Sequence, residues 1–382
     1  MKNYNRNYGL DTLRSIAIIL VFMAHYTWLT DQTFFGPLGH MGGVGVDLFF
    51  ALSGYLIGNQ IFSALKSHEN FSLPIFYARR LLRTLPNYFF VLGIYFLLPI
   101  FREKPLITPL WKFITFTQNF GLSSSAFSHA WSLCIEEQFY LLLPLIALFL
   151  IYKISARQRW LIILITLIGE IIIRGIIWFI YLRYPSSNAG EIYTSMIYYP
   201  TFCRIDSLVL GVSLALLHNY HQALWIKLTK NGNFFLSMGF IGYCFVTYIY
   251  QTGLPNKFFA VAVNNSVLAL SSAALVISAL CKNSLLSKVN IPGAMLLATT
   301  SYAIYLTHKP IIHVTQIILG HWHLENSDFI MLISSMFLSG IGGALVYIGI
   351  EKPFLKLRDK IGTNNATIKS VNKSNLEAQQ LS

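Results

Sequence analysis

Charged residues are scarce in this chain. Of its 382 residues 11% are Asp, Glu, Lys or Arg, whereas 55% are hydrophobic. A soluble domain would carry about 25% charged residues, so the composition excludes an ordinary soluble fold. Cysteine is also rare. The four cysteines fall in or at apolar segments without metal-ligand spacing, which indicates neither a disulfide framework nor a metal centre.

Long apolar runs recur along the whole chain. Since about 20 apolar residues on an α-helix cross a bilayer core, the runs predict an all-α polytopic membrane protein with about ten transmembrane helices. The first run carries charge and lacks the features of a cleavable signal, so we expect it in the mature protein. The predicted spans are 13–30, 44–64, 86–101, 130–152, 160–182, 198–218, 234–252, 261–281, 298–320 and 328–350.

Basic residues are divided unevenly between the two sets of loops. With these spans, 19 of the 28 Lys and Arg residues lie in the N-terminus, the even-numbered loops and the tail, and five lie in the opposite loops. Basic loops stay in the cytoplasm, so both termini are expected there. The scatter of the +13 net charge among loops argues against nucleic-acid binding. Residues 1–360 are expected to form one membrane domain, and residues 361–382 a polar, disordered cytoplasmic tail.

Two ionisable residues lie in the first span. Arg14 and His25 are eleven residues apart, which on an α-helix is about 16 Å and places both on one face. Ionisable groups inside a membrane are costly and usually functional. A cation near one surface and an imidazole near mid-depth predict an anionic ligand that enters from one side, with proton or acyl chemistry at the centre.

Arginines suit phosphate because the guanidinium stays charged and binds two oxygens at once. Arg80 and Arg83 share one face of a short interfacial helix predicted over 71–86, although anchoring to lipid headgroups would explain that helix equally well. Together with Arg14, they could hold a phosphate-rich acyl donor such as a coenzyme A thioester. His25 could then take a proton from an attacking hydroxyl or carry the acyl group itself.

Other buried polar residues have structural explanations beside functional ones. Glu170 and Arg174 are four apart in the order that favours a helical ion pair, and we interpret them as structure. Arg204 and Asp206 point to different sides, so each needs a partner on another helix. His308 could pack between helices or act in the site.

Seven motifs, in order, resemble the acyltransferase-3 family of integral membrane O-acyltransferases. The resemblance extends over residues 8–355. The matching stretches are Leu10–Arg14 with Ala24–Tyr26, Gly45–Tyr55, Arg79–Pro86, Trp131–Tyr140, Arg204–Gly211, Ser301–His308 and Glu351-Lys-Pro.

The resemblance implies a bacterial cytoplasmic (inner) membrane enzyme that moves acetyl from cytoplasmic acetyl-CoA to an extracytoplasmic glycan or lipid-linked sugar. O-antigen of lipopolysaccharide, peptidoglycan and exopolysaccharide are the acceptors it suggests. The family's arginine and histidine motifs fall on Arg14 with His25 and on Arg80 with Arg83. The three arginines are the expected donor contacts. His25 is the expected catalytic histidine, Glu136 the acid that faces the acceptor, and Asp47, which opens span two, completes the catalytic set. No metal is expected.

Two other classes of function remain open at this point. A proton-coupled transporter or glycan-export component could use Arg14, His25, Asp47 and Glu136 to line a proton path. The lack of an internal repeat weakens that interpretation. A scaffold without catalytic activity explains the buried ionisable groups least well.

Overall fold

A computed structural model describes residues 7–40, 42–67, 71–122, 125–184, 186–251, 257–324 and 328–361, and the regular structure in these ranges is helical. No strand occurs within these ranges. The α-helices are α1 (Tyr8–Thr30), α2 (Gly42–Lys66), α3 (Leu73–Leu97), α4 (Leu110–Ile114), α5 (Trp131–Lys153), α6 (Ala156–Ile177), α7 (Ala189–Tyr193), α8 (Asp206–Tyr220), α9 (Gln222–Leu228), α10 (Gly232–Gln251), α11 (Phe258–Ala262), α12 (Asn264–Leu280), α13 (Leu285–Lys288), α14 (Ala294–His321), α15 (Asp328–Val346) and α16 (Lys352–Lys360).

Shorter helical turns extend several of these helices. Short 3-10 turns cover Gly36–His40, Pro99–Phe101, Ser128–Ala130 and Thr201–Cys203. Turns of π-helix cover Trp178–Leu182, Thr194–Tyr198 and Tyr347–Glu351. The last of these joins α15 to α16 without a break.

Six helical segments in the described ranges are long and apolar enough to cross a membrane. They comprise α1, α2, Ser128–Lys153, Ala156–Leu182, α10 and Phe329–Lys360. The chain is therefore a multi-pass membrane protein. A count of ten spans and cytoplasmic termini stay predictions, and the tail predicted over 361–382 lies outside the described residues beyond 361.

The prediction of a separate interfacial helix over 71–86 is wrong. Helix α3 runs without interruption from Leu73 to Leu97 and passes through Pro86. Ser72 caps its start by accepting a hydrogen bond from the Ile75 amide at 3.5 Å. Proline inside a membrane helix is tolerated where neighbouring helices stabilise the turn. Here Tyr302 of α14 donates a hydrogen bond to the Thr84 carbonyl at 2.8 Å, two residues before the proline.

The predicted sixth span also begins later than expected. The α-helix of this segment, α8, begins at Asp206 instead of residue 198. Pro200 disfavours helical backbone at the residue before it, and a 3-10 turn over Thr201–Cys203 follows. The irregular backbone places Arg204 and Asp206 on different sides at the start of α8.

The core is built around α1 and α2. Helix α1 packs against α2, α12 and α14, and α2 packs along most of α8. Small residues allow the close α2–α8 contact: a Cβ at Gly54 would collide with the Leu208 carbonyl, and one at Gly211 with the Ala51 carbonyl. Helix α6 lies at the periphery and exposes large apolar side chains, as expected of a surface that faces lipid.

Candidate active site

Two cavities lie toward opposite ends of α1. The arginine cavity, of about 370 Å³, is lined by five arginines: Arg14, Arg79, Arg80, Arg83 and Arg358. The histidine cavity, of about 140 Å³, is lined by residues that include His25, Trp28, His129 and Lys309. Val46 of α2 lines both cavities. A single side chain thus borders both spaces.

The arginine cavity brings together the three arginines that the sequence predicts as donor contacts. Arg14 comes from the first turns of α1, and Arg80 and Arg83 come from the first half of α3. The pairing of α1 with α3 was not readable from the sequence, because their motifs are more than 60 residues apart. Their convergence on one cavity gives guanidinium groups that can bind several phosphate oxygens.

Carboxylates and an aromatic ring hold these arginines in place. The Arg80 guanidinium lies 3.7 Å above the centre of the Tyr140 ring and close to the carboxylates of Glu136 and Glu137. Glu351 is a carboxylate that interacts electrostatically with Arg83, and it accepts a hydrogen bond from the Asn87 amide at 2.8 Å. The lining of the cavity therefore carries net positive charge, and its arginine side chains are held in place before a ligand binds. Binding of a polyanion requires both properties.

The hydrogen bonds of the histidine cavity fix the tautomer of His25. His308 Nδ1 lies 2.9 Å from the Ile304 carbonyl, which can only accept, so Nδ1 carries the proton. Neutral His308 then accepts at Nε2, which lies 2.8 Å from His25 Nδ1. His25 must donate from Nδ1, and its Nε2 keeps a lone pair. His25 is thereby prepared to act as a base or nucleophile.

A third histidine completes this cluster. The ring of His129 lies 6.0 Å from that of His25 and 5.6 Å from that of His308, centre to centre. Its Nε2 donates to the Leu306 carbonyl at 3.2 Å, which leaves Nδ1 as an acceptor. This buried Nδ1 has no hydrogen-bond partner among the described residues. The sequence did not single out His129, although it stands two residues before the Trp131 motif.

Lys309 lies beside the histidines and forms an ion pair with Glu103. Its Nζ lies 2.7 Å from Glu103 Oε1 and donates to Ser128 Oγ at 3.1 Å. The side chains of Lys309 and Glu103 are 8% and 0% exposed. Pairing compensates the burial of both charges.

In the described part of the chain no three His, Cys, Asp or Glu side chains are arranged to hold a metal ion.

The other two members of the predicted catalytic set lie apart from His25. Glu136 lines the arginine cavity instead of the histidine cavity, and it hydrogen-bonds Ser53 and Tyr140. Asp47 accepts from Arg204 at 2.7 Å and from Ser207 at 2.9 Å. The catalytic roles of Glu136 and Asp47 stay predictions.

The Asp47–Arg204 ion pair supports the wall of the histidine cavity. Both side chains are buried, and the Arg204 guanidinium lies over the rings of Trp131 and Tyr198 at 5.4 and 5.0 Å. Those two aromatic residues line the histidine cavity. The pair therefore joins the start of α2 to the aromatic wall.

The structural interpretation of Glu170 and Arg174 is confirmed. Arg174 Nη1 lies 3.3 Å from Glu170, and Nη2 lies 3.0 Å from Asp206. Arg174 also donates to the carbonyls of Ala262 and Cys203. Asp206 and Arg204 thus both find their partners on other helices, as the sequence predicted.

Known proteins resemble this chain over most of its length. The family described as "Acyltransferase domain" matches residues 7–349 of the chain. The chain belongs to this acyltransferase family. It is 26% identical over 382 residues to the O-acetyltransferase OatA of Staphylococcus aureus, which covers 93% of this chain. It is 27% identical over 337 residues to the peptidoglycan O-acetyltransferase OatA of Listeria monocytogenes, which covers 82% of it.

The match covers only part of these two relatives. It spans 58% of the length of the Staphylococcus aureus protein and 50% of that of the Listeria monocytogenes protein. No solved structure matches the chain. The family match includes Arg14, His25, Arg80 and Arg83, whereas Arg358 lies beyond the matched range.

Replacement of Arg204 by Ala should destabilise the protein strongly. The change leaves the Asp47 carboxylate buried without its cation, which costs about 3–5 kcal/mol, while replacing both partners by Leu should recover much of that loss. The free energy of unfolding in detergent measures both effects. Arg183→Ala removes an exposed arginine and is the control, with an expected change within about 0.5 kcal/mol. Equal stability of Arg204→Ala and Arg183→Ala would contradict a supporting role for the pair.

Proposed function

We propose that the protein is a membrane O-acetyltransferase of the bacterial cytoplasmic membrane. It would move acetyl from cytoplasmic acetyl-CoA to a hydroxyl of an extracytoplasmic glycan. The observation that carries this proposal is the pair of cavities that share Val46 in their linings, one rich in arginine and the other holding a histidine with an available Nε2. A transferase that joins reactants from two sides of a membrane needs both sites and a connection between them.

The arginine cavity suits coenzyme A as the donor. Its five arginines match the several phosphate charges of that molecule, and guanidinium groups bind phosphate oxygens in pairs. Arg14 and His25 are separated by about 16 Å along α1. The pantetheine arm of coenzyme A is a flexible chain of comparable extended length that ends in the thioester. A donor anchored by its phosphates could thus present the acetyl group past Val46.

The histidine cavity suits a sugar hydroxyl as the acceptor. His129 Nδ1 can accept a hydrogen bond from a hydroxyl, and Trp28, Trp131 and Tyr199 offer aromatic faces of the kind that pack against sugar rings. The Listeria monocytogenes relative is named a peptidoglycan O-acetyltransferase. Peptidoglycan, O-antigen and exopolysaccharide are all glycans whose hydroxyls could enter this cavity.

The transfer can be written with His25 as general base. The acceptor oxygen attacks the thioester carbonyl carbon while its proton passes to His25 Nε2. The carbon–sulfur bond then breaks, and the imidazolium returns the proton to the leaving thiolate, which gives an acetyl ester and free coenzyme A. In the covalent variant, Nε2 itself attacks the carbonyl, and the carbon–sulfur bond breaks to give acetyl-imidazolium and the thiolate. The hydroxyl then takes the acetyl group, its proton passes to the thiolate, and neutral His25 is restored. Both routes require the lone pair on Nε2.

Replacement of His25 by Ala should abolish transfer and preserve donor binding. General-base catalysis contributes at least about 100-fold, and the phosphates bind near Arg14, about three helical turns away. Transfer of label from radiolabelled acetyl-CoA into glycan, in membranes that contain the chain, measures the first effect. The dissociation constant of coenzyme A measures the second.

The matched control is His313→Ala, because His313 lies on α14 but lines neither cavity. This variant should transfer acetyl at the normal rate. Normal transfer by His25→Ala would refute the mechanism. If the wild-type protein failed to bind coenzyme A, the proton-coupled transporter would become the better interpretation.

Replacement of His308 should lower the rate of acetyl transfer, because His308 hydrogen-bonds His25. In His308→Leu, His25 loses one acceptor and keeps the hydrogen bond to the Val21 backbone, so its ring is held less firmly and the rate should fall, by at most the roughly 100-fold that the base contributes. In His308→Gln, the amide oxygen can replace Nε2 as acceptor and should restore most of the rate. The turnover number and the dissociation constant of coenzyme A are measured for both variants. Equal activity of the Leu and Gln variants would show that the hydrogen bond is unimportant.

A large side chain at position 46 should separate the arginine cavity from the histidine cavity. Val46→Phe is expected to block the passage of the thioester and lower the transfer rate at least about tenfold, while coenzyme A still binds. Val46→Ala enlarges the passage and should keep transfer active. The same two assays apply. Transfer at the wild-type rate by Val46→Phe would mean that the donor reaches His25 by another path.

A further inference from the structure

Two of the five arginines of the arginine cavity, Arg79 and Arg358, are called the outer arginines here, and Arg14, Arg80 and Arg83 the inner arginines. Arg79 lies on α3, and Arg358 lies on α16. Their side chains are 37% and 23% exposed, so they stand at the mouth of the cavity. Arg79 Nη1 also donates to the Ile361 carbonyl at 3.0 Å, which ties the end of α16 to α3.

One carboxylate oxygen lies within reach of both outer arginines. Arg358 donates to Asp359 Oδ1 from Nε at 2.9 Å and from Nη2 at 2.7 Å. Arg79 Nη2 lies 3.9 Å from the same oxygen. The Asp359 side chain is 60% exposed, so water screens its attraction to the arginines. Because Asp359 Oδ1 interacts with both guanidinium groups, an oxygen atom of a more highly charged anion could bind in its place.

The carboxylates beside the inner arginines differ from Asp359 in their place in the fold. Glu136, Glu137 and Glu351 belong to α5 and to the π-helical turn before α16, and they hold Arg80 and Arg83 inside the cavity. Asp359 is instead adjacent to Arg358 in the sequence and can turn into solvent. A phosphate monoester carries close to two charges and accepts several guanidinium hydrogen bonds. It would therefore displace Asp359 readily.

We propose that Arg79 and Arg358 form a separate site for a phosphate monoester. In the donor of the proposed function, on which this inference rests, that group is the 3′-phosphate of coenzyme A. The inner arginines Arg14, Arg80 and Arg83 then bind the pyrophosphate. Both sites line one cavity, and in coenzyme A the two phosphate groups are joined through a single ribose. The donor is thus distinguished from nucleotides that lack the 3′-phosphate.

The test compares coenzyme A with 3′-dephospho-coenzyme A. Their dissociation constants are measured with the full chain in phosphatidylcholine nanodiscs, so that no acceptor is needed. The wild-type protein should bind coenzyme A at least about tenfold more tightly, the effect of one or two charge-assisted hydrogen bonds. Arg358→Ala and Arg79→Ala should bring this ratio toward one by weakening binding of coenzyme A alone.

Lys356→Ala is the matched control, because it removes one positive charge from the same helix at an exposed residue that does not line the cavity. It should keep the wild-type ratio. Equal affinity of the wild-type protein for the two ligands would overturn the phosphate site and leave the proposed function intact. Equal weakening of both ligands by Arg358→Ala would overturn it as well. Binding of neither ligand would overturn the proposed donor itself.

A lipid phosphate could offer similar chemistry to the two arginines. The ratio is therefore measured again in nanodiscs that contain phosphatidylglycerol, an anionic phosphodiester lipid. A preserved preference for coenzyme A supports the 3′-phosphate as the ligand. Loss of the preference in these nanodiscs would assign Arg79 and Arg358 to lipid headgroups and overturn the proposal.

Discussion

Charged side chains cannot remain unpaired in an apolar helix bundle, and this constraint organises the buried part of the molecule. The cost of burying one ion is several kcal/mol, which pairing must offset. Arg174 is accordingly held by Glu170 and Asp206, Arg204 by Asp47, and Lys309 by Glu103. Asp206 lies on α8 and Asp47 on α2, so the Arg174–Asp206 pair joins α6 to α8 and the Arg204–Asp47 pair joins the start of α8 to α2. The aromatic wall of the histidine cavity depends on one such pair.

The same constraint separates the cations that stabilise the fold from those that can bind a ligand. Arg174 and Arg204 are almost fully buried and are paired by nearby carboxylates. The five arginines of the arginine cavity instead border an open space of about 370 Å³. On the opposite side of Val46, the hydrogen bond to His308 leaves His25 with a lone pair at Nε2. Helix α1 thus carries an arginine cavity near one end and a histidine with an Nε2 lone pair near the other, and these are the two parts that the proposed transfer uses.

The sequence predicted the parts of this account that depend on local periodicity. The shared face of Arg14 and His25, the Glu170–Arg174 pair and the apolar helices all follow from spacing along one helix. Contacts between distant segments could not be predicted in this way. The His25–His308 bond joins residues 283 positions apart, and the position of Glu136 among the arginines depends on how α5 packs. His129 was missed because a lone histidine at the start of a span carries no periodic signal. The continuous α3 was missed because proline usually ends a helix in water.

The central claim is that one donor molecule extends from the arginine cavity past Val46 to His25. A structure of the full chain in nanodiscs with bound coenzyme A tests this claim most directly. We expect the phosphates among Arg14, Arg80 and Arg83, and the sulfur close enough to His25 Nε2 for a thioester carbon to lie about 3–3.5 Å from the reacting atom. A coenzyme A molecule bound elsewhere, or one whose arm turns away from Val46, would contradict the account.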